Sequence, residues 1–262
     1  MDQGVVKESI RSHWEKFWRE RPEVDEVYSN ADRILRNLEQ VVDVRGKRVL
    51  EIGAGTGRDS FPIAQRGGDV VQLDYAESSL RILKHLSAEN GLSTTIVCGD
   101  TFRLPFRDET FDVVFHQGLL EHFRVDFARD LLRENIRVLK KGGHLLVDVP
   151  QRYHLYTIAK HALIALNKWF AGWERSFSLR ELRREMKNLG LTPVYAYGEW
   201  MVPSFLYRVV REIIKKAGVT LPLYPAPVPV LTRLRDRLRY ALHKTKLQFI
   251  SGISIGVVGR KD

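Results

Sequence analysis

Residues 49–60, VLEIGAGTGRDS, decide how the rest of the chain is read. An apolar, strand-like run leads into three glycines at every second position, Gly53, Gly55 and Gly57, with Ala54 between the first two. A strand, a glycine loop and a helix N-terminus together make a pocket where backbone N–H groups face a ligand. Dinucleotide-binding proteins place G-x-G-x-x-G there, with an acid about 20 residues on for the ribose. Here Arg58 stands where that pattern wants glycine, and Glu51 precedes the first glycine by two residues. A carboxylate at that place repels a pyrophosphate but suits an ammonium or sulfonium group.

Two further acids close predicted strands. Asp74 ends DVVQLD, where a carboxylate can take both hydroxyls of a ribose. Asp100 ends TTIVCGD, where it can accept from an adenine amino group beside the Thr101 and Phe102 backbone. Across residues 46–150, RVLEI, DVVQLD, TTIVCGD, FDVVFH and HLLVDVP alternate with helical stretches: GRDSFPIAQRG, ESSLRILKHLSAENG and VDFARDLLRENIRVLKKGG. Alternating βα units imply a parallel sheet covered by helices on both faces.

With these motifs in place, the chain resembles the class I S-adenosylmethionine-dependent methyltransferases, in the type 11-like subgroup with an LPF…FDVV…LEH pattern. The matching residues are EIGAGTG (51–57), Asp74 in QLDYAESSL, GDTFRLPF (99–106), FDVVFHQGLLEHF (111–123) and RVLKKGGHLLVDVP (137–150). The resemblance implies an α/β, Rossmann-like fold: a seven-stranded, mostly parallel sheet with helices on both faces, an antiparallel last strand and helical insertions. It implies S-adenosylmethionine as cofactor. Glu51 and the backbone of Gly53, Ala54, Gly55 and Gly57 would hold the methionyl end, and Asp74 the ribose diol with Tyr75 beside the adenine. Asp100 and Thr101 would read the adenine edge, and Gln117 would lie near the methionyl part and the acceptor mouth.

A sulfonium is an already activated methyl donor, so catalysis needs alignment and exclusion of water. A base is needed only where the acceptor must lose a proton. Candidates are His116 and His122 around the fourth strand, and Tyr153 and His154 after the fifth, at the sheet edge where open α/β folds bind ligands. Glu121 and His122 form the pair in LEH, which also has a plain packing reading. No His/Cys/Asp/Glu spacing suggests a metal site.

The chain reads as one methyltransferase domain over 1–262. Residues 1–45 are N-terminal helices, with Asn30 or Ser29 as a cap of the second; 46–150 are the cofactor-binding core; 151–177 and 201–246 are insertions forming a lid or acceptor region. Strands are expected over 192–200 and 248–261. The stripe of residues 155, 158, 162, 166, 169 and 173 predicts one helix. Trp169, Phe170 and Trp173, with Trp200, Met201, Phe205, Leu206 and Tyr207, suit a hydrophobic or aromatic acceptor. Cys98 is too alone for a disulfide and reads as a buried small residue.

The +10 net charge is uneven: residues 1–150 hold 22 Lys/Arg against 25 Asp/Glu, and residues 151–262 hold 20 against 7. Any anionic partner is therefore expected at the C-terminal part. LTRLRDRLRYALHKTK (231–246) sets Leu231, Leu234, Leu238 and Ala241 or Leu242 against a crowd of Arg and Lys. That pattern suits an anionic bilayer surface and a lipid or isoprenoid acceptor. RNA phosphates are the alternative, ranked lower because the chain has no recognisable RNA-binding module. An RNA methyltransferase and a non-catalytic scaffold subunit remain the rival functions. The start MDQGVVKESIRSHW reads as no secretory signal, and no window of about 18 residues is apolar enough to span a bilayer. A cytoplasmic protein, peripheral to membrane at most, is expected.

Overall fold

Val, Ile and Leu concentrate in seven short segments, and each becomes a strand: β1 (Arg48–Ile52), β2 (Asp69–Asp74), β3 (Thr95–Cys98), β4 (Phe111–Gln117), β5 (Leu139–Pro150), β6 (Leu191–Glu199) and β7 (Ser254–Lys261). In the computed structural model, which describes residues 10–20, 32–169, 171–200, 202–225 and 229–262, they form one sheet in the order β3-β2-β1-β4-β5-β7-β6. β1 pairs in parallel with β2 and β4, and β7 runs antiparallel between β5 and β6. The order reverses between β1 and β4, and ligands of open α/β sheets bind outside the strand ends at such a switch point.

Successive strand residues face opposite sides of the sheet. Leu50, Ile52, Val71, Leu73 and Val114 pack on one side with Leu131 and Leu132 of α5 (Val125–Val138) and Leu182 and Met186 of α7 (Leu179–Asn188). Val49, Val70, Val113 and Phe115 pack on the other with Ile34 and Leu38 of α2 (Arg33–Leu38) and Ile63 of α3 (Phe61–Gln65). Burial on both faces explains why these strands are almost continuously apolar.

Several local expectations are corrected. The helix after the glycine loop is only α3, because residues 54–60 are spent on turns. α5 stops at Val138, four residues before the glycines, because Leu139 already pairs with Phe111 in the sheet. The last strand starts at Ser254. Residues Gln248–Ser251 form the short helix α10, anchored where Gln248 accepts from the Gly198 backbone N–H at 3.0 Å. Cys98 is exposed, since β3 is the edge strand of the sheet.

The N-terminal helices are α1 (Arg11–Arg19) and α2; Ser29 and Asn30 lie outside the described residues, as do Phe170 and Met201. Glu15 of α1 accepts from the backbone N–H groups of Glu77 and Ser78, which open α4 (Glu77–Glu89). α1 is thereby pinned beside the strand ends, and an anionic side chain at a helix N-terminus is favourable there.

In the 151–177 insertion the helix is α6 (Leu155–Ala165), so Trp169 and Trp173 belong to the loop behind it. Its apolar stripe faces outward: Leu155 is 73% exposed, with Ile158 and Leu166 also exposed, while Thr157, Lys160 and Ile164 are buried. α8 (Phe205–Lys216) and α9 (Pro229–His243) fill the second insertion. They too expose an apolar face, Leu206, Val209, Val210 and Ile213 on α8 and Leu234 and Leu238 on α9. Among the described residues no helix is long and apolar enough to cross a membrane.

Candidate active site

The C-terminal ends of β1, β2 and β4 open into a cavity of about 660 Å³, roofed by α1 and walled on one side by the 151–177 insertion. Glu51 at the end of β1 is buried, and its Oε2 has no hydrogen-bond partner. Burial, with the carboxylates of Asp59 and Asp74 nearby, pushes its acid well above the ordinary range. A positively charged group in the cavity relieves that cost directly.

The glycine loop is shaped by φ rather than by donors. Gly53, Gly55 and Gly57 take φ of +68°, +55° and +69°, a region that glycine enters without steric cost. Gly53 and Ala54 N–H groups both go to the Leu73 carbonyl, and Gly55 N–H goes to Asp74 Oδ2 at 2.9 Å. These amides therefore tie the loop to β2, against the expectation that they face the ligand. Asp74 is the hub: its Oδ1 also accepts from Ala76 N–H at 2.9 Å. Burial raises its acid while these backbone bonds pull it down. What the loop offers a ligand is close approach, which Trp18 of α1 already uses. A Cβ on Gly55 would lie 2.8 Å from Trp18 Cζ2.

Tyr75, Asp100 and Thr101 line the same cavity. Asp100 Oδ1 accepts from Phe102 N–H at 2.9 Å, and Thr101 Oγ1 is buried without a partner. Gln117 lines it from β4; with its amide turned to suit its neighbours, its nitrogen donates to Asp59 Oδ2 at 3.2 Å and its oxygen accepts from Gly118 N–H at 3.3 Å. The structure thus gathers the cofactor-binding candidates around one cavity, except Gly57, which faces Gln72, Leu83 and Phe61 in the core.

The catalytic candidates divide. His122 lies in the single turn of 3-10 helix at Leu120–His122 and lines the cavity, with Trp14 of α1 edge-on at 5.0 Å. Burial lowers its imidazole to about 4, against the pull of the Glu174 carboxylate. His116 is buried within β4, outside the cavity wall, and burial lowers it to about 3. Tyr153 is exposed, and His154 caps α6 by accepting from Tyr156 N–H at 3.1 Å. Neither Tyr153 nor His154 lines the cavity. A side chain on a central strand points into a helix-covered face, while the loop behind the strand reaches the ligand; sequence spacing does not separate the two.

Arg33 is the wall residue that sequence reasoning missed. It sits on α2, nearly buried, donating to Ser254 Oγ at 3.2 Å and lying 3.7 Å from Asp148 Oδ2. Burial works against its charge, but Asp148 and Asp59 hold it protonated. Asp148, at the end of β5, is pushed up to about 6 by burial against the pull of Arg33. It also accepts from Tyr197 Oη at 2.8 Å. An arginine on an otherwise core-facing helix was the available signal.

A sheet of this order, with an acid at the end of β1, a triple-glycine turn after it and an acid closing β2, agrees with the fold that the resemblance to class I S-adenosylmethionine-dependent methyltransferases implies. Residues 50–147 match the family model of the methyltransferase domain. The chain is 37% identical over 110 residues to a demethylmenaquinone methyltransferase of Renibacterium salmoninarum, a match covering 42% of this chain and 44% of that protein. The chain thus spans under half the length of that relative. It is 28% identical over 203 residues to a ubiquinone biosynthesis O-methyltransferase of Marinobacter nauticus, covering 73% and 82%. The fold is shared with an S-adenosylmethionine-dependent methyltransferase of Thermotoga maritima, at TM-score 0.63 and 19% identity over 96% of this chain and 99% of that one.

Proposed function

We propose that this chain transfers a methyl group from S-adenosylmethionine to a small, hydrophobic or aromatic acceptor. The observation that carries the reading is the continuity of the cavity. A polar half around Glu51, Asp74 and Asp100 runs into a half walled by Trp14, Leu119, Phe123, Tyr156 and Trp169. Glu51 receives the methionyl ammonium, which its unpartnered oxygen fits, and Arg33 the methionyl carboxylate. Asp74 takes the ribose hydroxyls with its remaining lone pairs, Tyr75 packs on the adenine, and Asp100 and Thr101 read its edge. Gln117 flanks the methionyl part, and His122 is the candidate base at the acceptor. The cofactor brings an activated methyl. The chain supplies alignment and a water-poor wall, which an in-line displacement needs.

Thermal unfolding with S-adenosylmethionine, S-adenosylhomocysteine and NAD tests this. The right ligand at a hundredfold excess over its Kd stabilises the fold by about 2.7 kcal/mol. A shift with NAD alone rejects the reading.

The outward apolar faces of α6, α8 and α9 favour an acceptor met at an anionic membrane surface. An amphipathic stripe normally faces a core; here Leu206 is 72% and Leu238 59% exposed. Arg233, Arg235, Arg237 and Arg239 share α9 with Leu234 and Leu238. Apolar residues beside a basic face suit interfacial binding to anionic lipid. Co-sedimentation with phosphatidylglycerol vesicles, weaker with phosphatidylcholine and lost when the four arginines become alanine, is the expected result. Equal pelleting of both proteins ends this part of the reading.

A further inference from the structure

Beside the cofactor half, the cavity wall holds a buried polar group that the methyl-donor chemistry does not use. Lys160 of α6 is 1% exposed, and its Nζ donates to Glu174 Oε2 at 2.8 Å. Glu174, from the loop behind α6, accepts from Trp169 Nε1 at 2.8 Å on its other oxygen. Burial alone would raise Glu174, but Lys160, His122 and these hydrogen bonds hold it below the ordinary carboxylate range. Burying an ion pair costs several kcal/mol of desolvation. An apolar pair would fill the same space at less cost, so the charges call for a function.

Facing this pair stand Glu121 and His122. His122 Nδ1 is 4.0 Å from Glu174 Oε1, and both His122 Nδ1 and Glu121 Oε2 are buried without hydrogen-bond partners. A gap of 4.0 Å exceeds a hydrogen bond but keeps the carboxylate close enough to stabilise a proton taken up on Nδ1. Glu121 is pushed up to about 8 by burial and by Glu174, so near neutral pH it carries a proton to donate. All four side chains line the cavity.

Building on the methyltransferase reading, we infer that the acceptor presents a phenolic or enolic hydroxyl to His122, and that Glu174, kept ionised by Lys160, is the positioning residue that makes His122 a competent base. The hydroxyl donates its one proton to His122 Nδ1, Glu174 stabilises the imidazolium that results, and Glu121 donates to a neighbouring acceptor oxygen. In the transfer the O–H bond breaks and an O–CH3 bond forms. The methyl's C–S bond breaks with its electron pair left on sulfur, and the proton remains on His122 until solvent removes it. The groups facing His122 are Glu174, Lys160 and Glu121, with His13 from α1. Besides a hydrogen bond to the Gly118 backbone, the carboxylate of Glu174 offsets the imidazolium, because Lys160 opposes it and Glu121 holds its proton. A carboxylate within about 4–6 Å raises a neighbouring imidazole by roughly one to three units.

The test uses the full chain as wild type, Glu174→Gln, Glu174→Asp and the double variant Lys160→Met/Glu174→Gln, which leaves no unpaired buried charge. Stabilisation by S-adenosylhomocysteine is measured for each, and it reports the cofactor reading separately. The acceptor probes are 3-prenylcatechol, prenylhydroquinone and a matched prenylaniline. The expected result is transfer to oxygen in the two phenols. Glu174→Gln and the double variant lower kcat about ten- to hundredfold with KM for S-adenosylmethionine unchanged, and Glu174→Asp partly restores it. In NMR, the His122 Cε1–H signal of wild type starts to titrate as pH falls toward about 4; in Glu174→Gln that movement disappears over the folded range. A purely structural role for Glu174 would leave the His122 titration in place. Transfer to the aniline nitrogen alone, transfer to none of the probes, or unchanged kcat and titration in Glu174→Gln overturns the inference. Loss of S-adenosylhomocysteine stabilisation in wild type overturns the cofactor reading instead.

Discussion

Gly57→Ala and Gly91→Ala form a matched pair that separates backbone strain from close packing in the loop that sets the fold. Gly57 has φ of +69° and Gly91 +62°, so an alanine at either place pays the left-handed cost of about 1–2 kcal/mol. Around Gly91 nothing lies within 4 Å of the added Cβ. At Gly57 the Cβ would meet Gln72 Nε2 at 2.4 Å, Leu83 Cδ2 at 2.8 Å and Phe61 Cζ at 2.9 Å. Gln72 cannot swing aside freely, because its Nε2 donates to Ser60 Oγ at 2.8 Å inside the core. Overpacking and the broken buried hydrogen bond bring the cost at Gly57 to about 3–6 kcal/mol, much of a typical domain's stability of about 5–15 kcal/mol. Urea unfolding of both variants should show Gly57→Ala lowering the midpoint at least about twice as far, with the slope unchanged. Gly57→Ala should also lose stabilisation by S-adenosylhomocysteine, which Gly91→Ala keeps. Equal shifts in the two variants would refute the packing argument, and full cofactor stabilisation in Gly57→Ala would refute the link between this turn and the site.

Glu51→Gln should raise the melting temperature of the ligand-free protein at neutral pH, since it removes a buried carboxyl whose ionisation burial opposes, while weakening S-adenosylmethionine about 10- to 100-fold by calorimetry. Asp148 at about 6 and Glu121 at about 8 both lie above their unfolded values of 3.8 and 4.5. Each contributes stability that is full below the unfolded value and is lost as pH rises through the folded one. Urea midpoints should therefore fall from about pH 4 to about 8 and then level, with Glu121→Gln removing the upper part of the slope. Trp18→Ala, which frees the space above Gly55, should speed cofactor release in stopped-flow fluorescence with little change in the sheet's circular dichroism.

The cavity half proposed for the donor was legible because its determinants are local. Glu51, the three glycines and Asp74 follow directly from where β1 and β2 end, and strand ends are marked in the chain by runs of Val, Ile and Leu. Asp100, Thr101 and Gln117 follow the same rule. Histidines were harder: His116 and His122 are six residues apart, yet one is sealed in the sheet and the other faces the cavity. The stripe in 151–177 had the right period, but amphipathic spacing says only that one face is apolar, never which way it turns.

From its sequence alone this protein was determined to be an alternating α/β chain with an acid-flanked glycine turn and a basic C-terminal part. Strand propensity, glycine's access to positive φ and net charge are properties of residues close in the chain. Tertiary structure alone decided that Arg33 reaches the strand ends, that Lys160 and Glu174 are buried opposite His122, and that the apolar faces of α6, α8 and α9 turn outward. Each of these depends on bringing together segments far apart in sequence, and whether a buried charge or an apolar stripe is tolerated is set by the partners that folding places around it.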